Sequence, residues 1–337
     1  MTIKDIFQGC ESGRIQTVGS MTMIPITSKA NDDRFISPKE AKFRNHNYGS
    51  MTFNNETEKT LIVPMNIGYV TKHSAQDHAM TQSGIVPKKD SKTFTDAACI
   101  QESQGGYIPE DVYDFLILPW SLRSETLSKR GKTDYSKIWG NIRTFNRELG
   151  LSSAGHMEYF LKSYEKELDE FVAEFELIPN QVGAIILING TVFGVEKAPS
   201  SQYFSSIFKA LVRDCYGSAA IQFSKGVKYA KTSEHNIRIP VKATSRTING
   251  IKKSLAEANK KQDEVVKNIV RDLLPEELKK ESSDSESDGF SIETYKNEQF
   301  FGQVISENND DVIYASLSAN KNWVKTQGWI KTKKFSI

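Results

Sequence analysis

The sequence predicts an α+β fold, a mixed or antiparallel sheet of about 8–12 strands with three or four helices packed on it. Three observations carry this prediction. Short apolar runs bounded by Gly, Pro, Asn and Ser fill residues 1–125. Residues 134–177 switch to helical spacing. An Asn-Gly pair at 189–190 then separates two apolar runs, which is the strongest short-range signal for a β-hairpin because both turn residues need positive φ.

The strand-rich part contains Met21–Ile26, Leu61–Val70 and Tyr113–Trp120, each rich in branched or aromatic residues. Within Asp134–Leu149 the apolar residues Ile138, Ile142, Phe145 and Leu149 mark one helix, with Asp134 as the expected N-cap and Gly150 past its end. Met157 to Phe175 forms one continuous apolar stripe, and Pro179 closes that second helix. Gln181–Ile188 is unbroken in its apolar character, as expected for a strand covered on both faces, and Thr191–Gly194 returns from the turn. A third helix follows Pro199, carrying Phe204, Ile207, Phe208, Leu211 and Cys215. Ile237–Val241 alternates like a strand, and Ile251–Leu274 reads as a longer polar helix.

Residues 1–280 thus read as a single α+β domain: strand-rich over 1–125, helical over 134–177, strand pair and helix over 181–216. Residues 281–289, a run of Glu, Ser and Asp ending in Gly, read as a mobile acidic linker with nothing to bury. Residues 290–318 read as a C-terminal hairpin that rejoins the sheet, being too short for a core of its own. Residues 319–337 read as a basic tail.

Composition narrows the function classes. The chain has 337 residues, 38% apolar and 26% charged, enough for a substantial core. Its net charge of +2 argues against a dedicated nucleic-acid binder. The basic pairs Lys88-Lys89, Lys129-Arg130, Lys252-Lys253 and Lys260-Lys261 are scattered and read as solvated surface. Three distant cysteines, Cys10, Cys99 and Cys215, and no Cys-x-x-Cys argue against a disulfide framework or cysteine zinc site. Charged residues occupy the start of the chain, and no apolar run approaches the roughly 20 residues of a membrane span. The expectation is a cytoplasmic protein with no membrane association and no cofactor.

No phosphate-binding glycine loop, dinucleotide fingerprint, nucleophile elbow or His-Glu-x-x-His helix is present. His73, Asp77 and His78 offer metal-ligand types, but positions five apart share neither a helical nor a strand face. The acids Glu165 to Glu176 lie opposite an apolar stripe and read as a solvated face. The segment from Cys99 to Tyr107 combines a Gly-Gly turn, which permits close backbone approach to a ligand, with Glu102, Gln104 and Tyr107 as donors, acceptors and a stacking face. The plainer reading is a buried Cys at a strand end followed by an ordinary turn.

Several stretches resemble a known family. Pro179–Ala184, the Ile188-Asn189-Gly190 turn, Gly194, and the helix ending in Leu211-Val-Arg-Asp-Cys-Tyr216 are similar to the bacterial domain family named for its association with ADP-ribosylglycohydrolases and rhodanese/phosphatase-like proteins. Trp139 with Asn146, Gly302-Gln303-Val304, Val312-Ile313-Tyr314 and Met21–Ile26 extend the likeness over roughly residues 15–318. Two family positions differ. A Gln-Asn-Arg stretch aligns with Gln76-Asp77-His78, and an Arg-Trp pair aligns with Gly106-Tyr107. The bidentate forks that suit phosphate are therefore absent from both.

The resemblance implies, by association, NAD-derived nucleotides or ADP-ribose as ligand class. The expected site joins Gln76, His78, Cys99, Glu102, Gln104 and Tyr107, with Glu102 and Gln104 bonding ribose or base and Tyr107 stacking. Two further readings stand beside it. One is a non-enzymatic interaction or assembly protein, with room for a homo-oligomer and an apolar surface patch. The other is a hydrolase using Cys99 or a carboxylate.

Overall fold

The computed structural model describes residues 1–45, 47–71, 77–103, 113–224, 277–286, 289–308 and 311–326, with five scattered helical positions between 257 and 268. The expected strand at Ile237–Val241, and Gln76, Gln104 and Tyr107, lie outside the described residues. A nine-stranded antiparallel sheet dominates the α+β architecture. Its order is Glu11–Ser12, Met21–Thr27, Gln181–Ile188, Thr191–Lys197, Asp311–Ala319, Phe300–Glu307, Phe290–Lys296 and Lys280–Ser285, with Gln16–Val18 also on Met21–Thr27. Three smaller sheets of three, three and four strands are built from residues 35–117.

The central hairpin forms where the Asn-Gly pair lies. Asn189 and Gly190 have φ of 50° and 79°, the left-handed values such a turn demands. All eight residues of Gln181–Ile188 are buried, as expected of a strand covered on both faces. The Ser201–Ala210 helix starts at Ser200, whose hydroxyl accepts the Tyr203 N–H at 3.1 Å. It continues through a π-helical segment at Leu211–Gly217 into Ser218–Ser224. The π segment sets the Tyr216 ring against Gly194. A Cβ at 194 would lie 1.7 Å from the Tyr216 hydroxyl, so only glycine admits the ring.

The structure departs from the sequence reading in five places. The acidic stretch 281–289 is not slack throughout: Lys280–Ser285 is an edge strand paired with Phe290–Lys296. An edge strand needs backbone partners rather than buried side chains, so a charged, Ser-rich segment can serve. Residues 290–318 supply three full-width strands' worth of pairing in this sheet, ending at Ala319. The expected basic tail begins with a helix, Lys321–Thr326, which buries Val324 and packs Trp323 on Phe300.

The first long helix starts at Trp139 rather than Asp134. Tyr135 has φ of 58°, and the Ser136 carbonyl accepts the Cys99 N–H at 2.8 Å, so these residues pair with the strand end instead. The second apolar stripe is two helices, Met157–Ser163 and Glu165–Ala173, joined at Tyr164, whose hydroxyl donates to the Leu149 carbonyl.

Candidate functional site

The short strands His78–Ala79 and Ala98–Cys99 pair antiparallel, with His78 opposite Cys99. This brings together the described ends of the two segments in which the sequence placed a site. Both side chains are buried. The His78 Nε2 accepts the Gly49 N–H at 2.9 Å, and its Nδ1 lies 2.8 Å from the Asn45 side-chain nitrogen. The Cys99 thiol donates to the Gln101 carbonyl at 3.2 Å. The two groups turn to different partners, so they are neighbours without forming a nucleophile–base pair.

Glu102 follows at the surface. Its Oε2 accepts the Gly155 N–H at 2.7 Å and the Arg143 Nε–H at 3.1 Å, and Arg143 closes a second bond to Oε1. The carboxylate thus anchors the 99–103 segment to two other parts of the chain, and the Arg143 side chain remains 46% exposed.

Around these residues lies an aromatic and cationic face that the sequence reading missed. Over Tyr135-Ser-Lys-Ile-Trp139 burial alternates, with Ser136 and Ile138 inside and Tyr135, Lys137 and Trp139 outward. The Lys137 Nζ lies 4.7 Å from the ring centroids of both Tyr135 and Trp139. Tyr48, 53% exposed, meets Tyr135 edge-on at 5.1 Å. The Tyr135 ring is 6.4 Å from His78. The legible signal was the period-two alternation of two aromatics and a lysine, hidden because the same residues also fit a helical period.

A second polar cluster is sealed in the core. Arg123, with its side chain 1% exposed, pairs with Glu196 at 2.9 Å and also donates to Ser316. The Tyr216 hydroxyl donates to the same Glu196 oxygen at 2.7 Å, and the Cys215 Sγ lies 3.7 Å from the guanidinium. Burial opposes the Arg123 charge, yet Glu196, Cys215 and Tyr216 around it hold its pKa well above the ordinary value. Burial pushes the Cys215 thiol up to about 12 and keeps it protonated. At the residue before Cys215, burial lifts Asp214 to about 7 despite its contact with Arg213.

An open cleft of about 630 Å³ lies between the 120–127 segment, the Trp139–Glu148 helix and the Lys321–Thr326 helix. Among the described residues, no group of three His, Cys, Asp or Glu side chains could hold a metal ion, and no helix is long and apolar enough to cross a membrane.

Residues 9–313 match the family model described as the ARG and Rhodanese-Phosphatase-superfamily-associated Protein domain, ARPP-1. The chain belongs to this family. The match covers the nine-stranded sheet as far as residue 313, the aromatic face, and Arg123, Glu196, Cys215 and Tyr216 of the buried cluster, whose Ser316 lies beyond it. It ends before Asn320–Thr326, which form one wall of the cleft. No curated protein matches the chain, and no solved structure does.

Proposed function

We propose that this protein binds an ADP-ribose-like or NAD-derived nucleotide on the face formed by Tyr48, Tyr135, Lys137 and Trp139, beside His78 and Glu102. The observation that carries the reading is the Lys137 ammonium held 4.7 Å from two aromatic rings at the surface. An adenine stacks on such a ring, at about 1–3 kcal/mol per base. The ammonium, released from the ring face, meets the pyrophosphate. Arg143 adds a second cation nearby, restrained by Glu102. In this arrangement Glu102 acts as an anchor for the site rather than as the ribose ligand expected from sequence. The family's naming association with ADP-ribosylglycohydrolases and phosphatase-like proteins supports the same ligand class.

The test is calorimetric titration of the purified chain with ADP-ribose, NAD and adenosine monophosphate. The reading expects saturable heat with at least one of them. No heat with any, up to millimolar concentrations, would remove it. An assembly role finds less support, because the exposed large apolar side chains among the described residues are Tyr48 and Leu177, which form no patch.

A further inference from the structure

The structure assigns a second, separate binding site to the cleft, and we infer that its ligand is a neutral polyhydroxylated ring such as a sugar or an unphosphorylated riboside. The site lies on the other side of the Trp139–Glu148 helix from the aromatic and cationic face. Trp139 and Arg143 look toward that face, whereas Asn141, Thr144 and Phe145 line the cleft. Its volume of about 630 Å³ lies within the 300–1,000 Å³ usual for small-molecule sites.

The lining chemistry selects the ligand. Ser121, Ser124, Asn141 and Asn322 all border the cleft, and among the described residues none of their side chains has a hydrogen-bond partner. The Ser121 hydroxyl is in addition shielded from solvent and unpartnered. These groups are neutral and can both donate and accept, which matches the alternating donor and acceptor character of ring hydroxyls. Trp323 supplies an aromatic face of the kind that packs against the C–H face of a sugar ring.

Charge argues against an anion. Two carboxylates, Glu125 and Glu298, border the cleft, and Lys321, the one lysine among its described lining residues, is 3.5 Å from Glu148 and so already partnered. A phosphate placed here would meet a surplus of negative charge, while a vicinal diol could donate to either carboxylate. The balance is reversed on the Lys137 face, where Lys137 and Arg143 stand against the single carboxylate of Glu102. The inference is independent of the proposed nucleotide site.

The test measures binding to the full chain by ligand-observed NMR and calorimetry, using adenosine, ribose and methyl glucoside as neutral probes. Ribose 5-phosphate is the anionic probe and glucosamine the cationic one. At least one neutral probe should bind, and Asn322→Ala and Trp323→Ala should each weaken it by tenfold or more. Ribose 5-phosphate should bind at least tenfold more weakly than ribose. Asn322 is exposed, so its variant retains the fold, and unchanged melting curves check both variants. The assignment is overturned if no neutral probe binds, if the phosphate or the amine binds more tightly than its neutral counterpart with an affinity that Asn322→Ala or Trp323→Ala lowers, or if neither variant changes the affinity of the neutral probes.

Discussion

An arginine–glutamate pair occurs both in the core and at the surface of this molecule, and burial separates their roles. Arg123, Glu196 and Tyr216 meet in the core with no solvent access. Arg143 and Glu102 meet at the surface, with the Arg143 side chain 46% exposed, and Tyr135 lies on the same outward face beside Lys137. In the first group every interaction is internal: the charges are balanced, the thiol nearby is held protonated, and the cluster ties the 120–127 segment to two sheet strands and the π-helical segment. In the second group the cations can exchange protein partners for a ligand. The comparison shows that a dense constellation of chemistry-bearing side chains need not be a site, and that access decides.

Breaking the buried pair should have the largest effect. Glu196→Gln leaves the Arg123 charge without its counterion in the core, and about 3–5 kcal/mol of stability should be lost in denaturant titration. A loss below about 1 kcal/mol would mean that solvent reaches the cluster, and the contrast would fail. Gly194→Ala is next. It forces the Tyr216 ring away from Glu196, and overpacking of this kind costs about 1–3 kcal/mol. The smallest effect belongs to the surface pair. Arg143→Ala should cost no more than about 1 kcal/mol, as exposed ion pairs do, with the Gly155 N–H still holding Glu102.

Much of the fold was legible in the sequence because it rests on local chemistry. The Asn189-Gly190 turn and the continuous apolar run before it specify a hairpin with no knowledge of the rest of the chain. The Ser200 cap and the apolar face of the helix after it are equally local. The buried cluster was not legible. Arg123 lies 73 residues from Glu196 and 93 from Tyr216, and no spacing rule connects them. The edge strand at Lys280–Ser285 was misread because composition reports what a segment can bury, whereas an edge strand is held by its backbone.

The candidate site was legible in part. Pairing of the His78 and Cys99 strands joins the two segments singled out from sequence, but both side chains point into the protein and are satisfied there. The outward chemistry comes instead from Tyr135, Lys137 and Trp139, whose alternation was obscured by a helical period that truly begins only at Trp139.

The most direct measurement on the central proposal is the affinity of ADP-ribose for the Lys137→Glu variant relative to the unaltered chain, by calorimetry at low salt. Lys137 is exposed, so the melting temperature should not change. The account predicts a loss of affinity of tenfold or more, from removing the cation that faces the pyrophosphate and placing an anion there. Equal affinity in the two proteins would contradict it and move the nucleotide, if bound, away from the Tyr135–Trp139 face.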